Sequence, residues 1–134
     1  MSNEAQIRSS LQISKGNLRY NSQPTAFRAD VTGTNGPTPG AIAVATAGTN
    51  VDLSALTTPG LCRLMNLDAT NYVTWGIYDG VYFFPLGEIL PGETYVIRLS
   101  RILGSESPGT ATGNRLRLVA NTAACKVAVE AFEA

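Results

Sequence analysis

The chain has 134 residues, of which 44% are hydrophobic and only 15% are charged, and a chain of this length can bury a core of its own. Ten basic and ten acidic residues cancel, which excludes the basic excess typical of nucleic-acid binding proteins. No apolar run approaches the ~20 residues that span a bilayer, and the polar start "MSNEAQIRSSLQIS" does not resemble a signal peptide. We therefore expect a protein made in a cytoplasm, with no nucleic-acid or membrane partner, whose low charge favours homo-oligomers.

Residues 1–24 are predicted to form a polar N-terminal arm. Ile7, Leu11 and Ile13 alternate with polar residues and indicate a strand within the arm. Glycine, asparagine and proline between residues 16 and 24 interrupt that pattern. The remaining residues, 25–134, are predicted to form one β-sandwich domain.

Period-two alternation dominates the second segment, and helical periodicity is absent from it. The strand-like runs are "TAFRADVT" (25–32), "AIAVAT" (41–46), "NVDLSAL" (50–56), "LCRLMNL" (61–67), two within 71–85, "TYVIRLSR" (94–101), "RLRLVA" (115–120) and "ACKVAVEAF" (124–132). About nine short strands separated by turn residues predict an all-β, antiparallel, jelly-roll-like sandwich. We expect its core to bury seven residues together: Trp75, Ile77, Phe84, Ile97, Leu99, Leu118 and Val127.

The dipeptide Asp79-Gly80 is a strong signal for a two-residue hairpin turn. It predicts that Tyr78 pairs with Val81 and that Gly76 pairs with Phe83. One face of this hairpin is then apolar and belongs to the core; its residues are Val73, Trp75, Ile77, Tyr82 and Phe84.

The opposite face of the hairpin is also aromatic, through Tyr72, Tyr78 and Phe83. Phe83 is expected to cover the bare strand position at Gly76. Three interpretations remain open for this face: packing within the chain, a subunit interface, or binding of a sugar.

Basic residues occupy one face of the last three predicted strands. If these strands form a meander, Arg98, Arg115, Arg117 and Lys126 share its outer face with Glu130. This face is either an ordinary solvated surface or a docking surface for an acidic partner. Arginine suits the second interpretation, because its planar guanidinium pairs with two carboxylate oxygens at once.

Two glycine-rich loops, 33–40 and 104–114, are long enough to be contact loops, although plain surface connections are an equally good interpretation. Cys62 and Cys125 lie in apolar runs and are expected to be buried, reduced thiols. A disulfide between them remains possible if their strands are neighbours.

No catalytic chemistry is indicated by the residues. The chain has no histidine, the most common general base, and most of its carboxylates fall at turns. The run "LDATN" (67–71) loosely resembles a calcium loop but lacks the terminal glutamate. We therefore expect a protein that is not an enzyme, with no catalytic residue, no cofactor and no metal.

Three segments carry a resemblance to a known class of proteins: "VDLSALTTPGLCRLMNLDATNYVTWGI", "FFPLGEILPGETYVIRLSR" and "LRLVANTAACKVAVEAFEA". They resemble small β-sandwich structural proteins of tailed bacteriophage virions. The resemblance implies a capsid decoration, or cement, protein that binds the major capsid protein or other virion subunits. A neck or tail component is the alternative, and a carbohydrate-binding β-sandwich module is a more distant one. Candidate interface residues are Arg98, Arg115, Arg117, Tyr72, Tyr78 and Phe83.

Overall fold

The structure is a computed structural model that describes residues 4–31, 33–103 and 114–134. Within these ranges it contains twelve β-strands and no helix, so no described helix could cross a membrane. The chain forms two compact units, Met1–Thr32 and Gly33–Ala134. The strands are β1 (Ala5–Ser9), β2 (Gln12–Lys15), β3 (Leu18–Asn21), β4 (Thr25–Ala29), β5 (Thr38–Val44), β6 (Thr49–Asn50), β7 (Pro59–Asn66), β8 (Val73–Tyr78), β9 (Phe83–Ile89), β10 (Thr94–Arg98), β11 (Arg115–Ala120) and β12 (Cys125–Glu133).

The first unit is a two-stranded antiparallel ribbon. β1 pairs with β4, and β2 pairs with β3. The register of the second pair is shifted by one residue relative to that of the first. Gly16 turns the chain between β2 and β3 with φ of 55°, a left-handed conformation that favours glycine. The run 25–32, which the sequence assigns to the second domain, contributes β4 to this ribbon.

The second unit contains two four-stranded antiparallel sheets, which we call the first and second sheet. The first has the order β10-β7-β12-β5, and the second has the order β6-β11-β8-β9. The predicted all-β antiparallel sandwich is thus confirmed, with twelve strands among the described residues instead of about nine.

The core lies between these two sheets and follows the alternation of their strands. Leu116 and Leu118 of β11 and Val127 and Val129 of β12 are completely buried. Each such side chain contributes roughly 1.5–3 kcal/mol by leaving water. Of the seven predicted core residues, Leu99, Leu118 and Val127 are buried, and Trp75, Ile77 and Ile97 are partly buried against the core.

Phe84 does not belong to the buried core, which corrects the prediction. It pairs with Ile77 and so faces inward, but 51% of its surface is exposed. The reason is its place on β9, an edge strand that has no further neighbour to cover it.

The hairpin between β8 and β9 has a longer turn than predicted. Tyr78 pairs with Phe83 instead of Val81, and Pro85 instead of Phe83 lies opposite Gly76. The Asp79 side chain causes this, because its Oδ1 accepts hydrogen bonds from the backbone N–H of Val81 (2.8 Å) and Tyr82 (2.6 Å). Tyr82, predicted to be core, therefore lies exposed in the turn.

Two other predicted segments differ in extent. In the run 50–56 only Asn50 belongs to a strand, although Val51, Leu53 and Leu56 enter the core from an irregular segment. Of the predicted loop 33–40, residues 38–40 belong to β5. Apart from Asn114, the second predicted loop lies outside the described residues.

Both cysteines are free and buried, as expected. β7 and β12 are neighbours, but Cys62 lies beside Ala131, six residues along β12 from Cys125. That separation is about 20 Å at the rise of an extended strand, far too long for a disulfide. Burial, together with the nearby Glu130 carboxylate, raises the pKa of Cys62 to about 12, which makes this thiol unreactive.

Glu133 ties the end of β12 to two connecting segments. Its Oε1 accepts a hydrogen bond from the Thr58 N–H (2.7 Å), and its Oε2 accepts from the Thr57 N–H (3.1 Å) and from Asn35 Nδ2 (3.4 Å). The Thr58 bond first, and then the other two, lower the pKa of this carboxyl below its usual 4.5. The pKa of Glu133 is lower in the folded protein than in the unfolded chain. The stabilisation is therefore fully present above pH 4.5 and is lost as pH falls through the lower pKa of the folded protein.

We therefore expect Glu133→Gln to destabilise the protein at pH 7 and to cost progressively less below pH 4.5. The glutamine side chain has only one oxygen that can accept hydrogen bonds, and its NH2 group would face a backbone N–H donor. Thermal melts of both proteins across this range give the difference in melting temperature. The other turn carboxylates titrate in both proteins and cancel. A difference that stays constant down to acid pH would contradict the role of the charge.

Candidate binding face

The second sheet brings most of the predicted interface residues together on its outer face. Tyr78 on β8 pairs with Arg115 on β11 and with Phe83 on β9. Arg117 pairs with Gly76, one alternation step further along the same face. Directly paired residues point to the same side of a sheet, so Tyr78, Phe83, Arg115 and Arg117 form one mixed aromatic and basic surface, which we call the Tyr78 face.

An arginine stacked on a tyrosine lies at the centre of the Tyr78 face. The Arg117 guanidinium carbon lies 3.6 Å from the centroid of the Tyr78 ring, a close cation–π contact. Arg117 Nε donates to Asn50 Oδ1 at 2.8 Å, and the Tyr78 hydroxyl donates to the Gly80 carbonyl oxygen at 3.0 Å. These contacts fix the guanidinium in place and leave its terminal N–H groups as donors for a carboxylate.

Glycine at position 48 makes room for this stack. The backbone there has φ of 103°, and an added Cβ would lie 3.2 Å from Arg117 Cδ. The turn that precedes β6 therefore closes against the arginine stem. Arg117 fastens β6, β11 and β8 to one another, which is a structural role beside any role in binding.

The other predicted interface residues lie elsewhere. The last three strands do not form the meander on which a shared basic face depended, since β10 pairs with β7, β11 with β6 and β8, and β12 with β5 and β7. Arg98 therefore belongs to the first sheet, across from Leu61. Tyr72 precedes β8 at the end away from Tyr78. Arg115 stays on the Tyr78 face by its pairing with Tyr78, but it is buried at 6% exposure.

The outer face of the first sheet carries its own charges. Arg63 Nε lies 2.7 Å from Glu130 Oε1 across the pair β7–β12. Glu130, which the predicted meander sets against Arg98, Arg115 and Arg117, is thus engaged by a different arginine. Both side chains are partly exposed, so this ion pair contributes at most about 1 kcal/mol.

The ribbon carries a second candidate surface, which the sequence interpretation missed. Cross-strand pairing of β2 with β3 places Ile13 opposite Tyr20 and Lys15 opposite Leu18. Leu11 continues the same side, since its backbone N–H and C=O both bond to Ser22. We call this side the hairpin apolar face; its Leu11, Ile13, Leu18 and Tyr20 are 39–59% exposed.

A signal for this face was present in the sequence. Gly16-Asn17 is a hairpin dipeptide, and it separates two alternating runs with apolar residues at 11, 13, 18 and 20. Contrary to the prediction, Gly16 and Asn17 do not interrupt one strand; they join two strands.

The run 67–71 contains a structural turn. Asp68 Oδ2 accepts hydrogen bonds from the backbone N–H of Thr70 (3.0 Å) and Asn71 (2.6 Å), and these bonds lower the pKa of its carboxyl. Among the residues that the structure describes, no three His, Cys, Asp or Glu side chains lie close enough to hold a metal ion. The carboxylate oxygen here caps backbone donors.

The two candidate surfaces are defined by residues of this chain alone. No protein-family model, no curated protein and no solved structure matches it.

Proposed function

We propose that the protein is a non-enzymatic virion structural protein that decorates a bacteriophage capsid, binds the major capsid protein and reinforces the shell. The observation that carries the proposal is the ribbon. It joins a strand pair with exposed apolar side chains to a sandwich that has a buried core of its own.

The ribbon would gain stability from contact with other molecules. An isolated two-stranded ribbon is at best marginally stable in water, and every residue of β2 and β3 is exposed. Contact with a neighbouring subunit would remove the apolar side chains from water and order the ribbon. Such a segment suits a protein that binds neighbouring subunits of a capsid lattice.

The charged surfaces add weak, repeated contacts. Arg98 and Lys126 are exposed on the first sheet, and Arg117 lies partly exposed on the second, so an acidic partner would meet cations on two faces. Each exposed ion pair contributes only ~0–1 kcal/mol. Repetition of the same contact over a lattice multiplies it into stable attachment.

A neck or tail component is the alternative within the same class, since it would use the same surfaces in a single ring. Binding of a sugar is less well supported. A sugar ring stacks on an open aromatic face, and Arg117 covers one face of Tyr78.

Copy number on the virion tests the proposal. Purified particles are separated by gel electrophoresis, and the protein is quantified against the major capsid protein by densitometry. A decoration protein is expected in constant proportion to the shell subunits, and shells that lack it should break at a lower temperature. Copies sufficient for only one ring would support the neck or tail alternative, and absence from the particle would refute both.

A further inference from the structure

The exposed apolar side chains are concentrated in two regions. Fifteen large hydrophobic side chains are exposed among the described residues; five belong to the ribbon, and seven lie between residues 81 and 96. This second region comprises β9 with its flanking turns and β10. Scattered single exposures are ordinary, but two concentrated regions call for partners.

The second region lies at one open side of the sandwich. β9 contacts β7 across the core, and β10 is the neighbour of β7, so the edges β9 and β10 lie on the same side. Phe84 pairs with Ile77, and Tyr95 pairs with the fully buried Leu64, so both rings point inward. Both rings remain half exposed. We call this the Phe84–Tyr95 opening.

The two regions carry opposite charge. Residues 79–97 contain Asp79, Glu88 and Glu93 and no cation, and Arg98 at the end of β10 lies on the opposite side of its strand from Tyr95. Residues 9–24 contain Lys15 and Arg19 and no acid, with Arg19 on the other side of the hairpin. Lys15 lies on the hairpin apolar face itself. Apolar surfaces flanked by opposite charges attract each other and exclude partners of the wrong sign.

Strand addition is not the mode of contact that β9 favours. Pro85 has no N–H to donate, and a bulge at Leu86 breaks the register with β8. Both features protect edge strands from pairing with another chain. A partner would instead be held by side chains packed into the Phe84–Tyr95 opening.

We propose that the hairpin apolar face of one copy packs into the Phe84–Tyr95 opening of a second copy, with Lys15 near the acidic residues around β9. Both surfaces are exposed within the single chain, so each is available to another copy. The contact joins two different surfaces and closes into a ring or a reciprocal dimer where the rotation permits. It does not depend on the virion assignment, because it requires no second protein.

A cysteine-mixing experiment on the full chain tests the contact directly. Both native thiols are buried, so an added surface cysteine is the reactive one. Tyr20→Cys and Phe84→Cys are made separately, mixed and treated with oxidised glutathione, which is reduced as the two thiols join. We expect the mixed disulfide dimer to exceed the two like-with-like dimers taken together, since random pairing of equal amounts would make these two quantities equal. A variant that carries both cysteines is oxidised in the same way. No mixed dimer from the single variants, or an internal disulfide at monomer mass in this double variant, would overturn the proposal.

Two matched substitutions, each of which adds one negative charge, test the role of the hairpin apolar face. Leu18→Asp places a charge on the hairpin apolar face, and Gln12→Asp places the same charge on the opposite side of the same hairpin. Leu18→Asp is expected to weaken self-association by about 30-fold or more, since it adds a carboxylate to an apolar contact and neutralises Lys15 opposite it, the cation that faces the acidic partner surface. Gln12→Asp should change it by less than about threefold. Sedimentation over a range of concentrations gives the constants. Trp75 fluorescence checks the fold of the sandwich, and far-UV circular dichroism checks the strand content of the whole chain. A monomeric wild type, or equal effects of both variants, would refute the contact.

Discussion

Gly76→Ala is expected to destabilise the protein by about 3 kcal/mol, because overpacking against backbone cannot relax by a change of rotamer. Gly76 is buried in the middle of β8, between β11 and β9. An added Cβ would collide with the Phe84 carbonyl oxygen and would lie 2.9 Å from Pro85 Cα. The edge strand β9 would have to move away from the sheet. Urea unfolding followed by the fluorescence of the single tryptophan, Trp75, measures the loss.

Gly87→Ala is the matched control for this clash. Gly87 lies on β9 opposite Trp75, and its added Cβ would lie 2.6 Å from the indole Nε1. A partly buried side chain can shift, so a smaller loss of about 1–2 kcal/mol is expected. Gly76→Ala with wild-type stability would show that β9 is not held as closely as described.

Asn66→Ala is expected to cost about 3–4 kcal/mol, because it leaves several polar groups without partners. Asn66 is completely buried at the end of β7. Its Nδ2 donates to the carbonyl oxygens of Asn71 (2.8 Å) and Ile89 (3.0 Å), and its Oδ1 accepts from the Asp68 N–H (2.9 Å). One side chain therefore joins the β7–β8 turn to the end of β9.

Asn71→Ala separates this role from a general sensitivity of the turn. The Asn71 side chain accepts a hydrogen bond from Thr122 Oγ1 at 2.6 Å, near the surface. Water can replace that bond, so a loss of about 1 kcal/mol is expected. The same denaturation experiment measures both variants, and equal losses would show that the buried contacts of Asn66 have no special weight.

The alternation of side chains along each strand was predicted better than the register. The predicted hairpin placed Tyr78 opposite Val81, and the structure places it opposite Phe83. The difference is two residues, and an even shift leaves each side chain on its predicted face. Phe83 therefore remains on the Tyr78 face, although the turn is longer because Asp79 bonds to the backbone of its own turn.

The order of strands across the sheets was not predictable from local patterns. Alternation reports which side chains point inward, but it does not report which distant strand lies alongside. Arg115 and Arg117 meet Tyr78 because β11 pairs with β8, whereas Arg98 leaves the group because β10 pairs with β7. The sequence therefore indicates to which side of its own strand each candidate residue points, but not which strands bring these residues together.

The place of β12 between β5 and β7 has a consequence for synthesis on the ribosome. Ala43 pairs with Lys126, so the partner strand of β5 is synthesised about 80 residues after it. At ordinary elongation rates of 5–20 residues per second, this takes roughly 4–16 s. Throughout that time β5, and β7 once it has been made, lack the strand that lies between them. The first sheet can close only after translation has passed β12, so chaperone occupancy and growth temperature should influence the yield of folded protein more strongly than codon choice in its early strands.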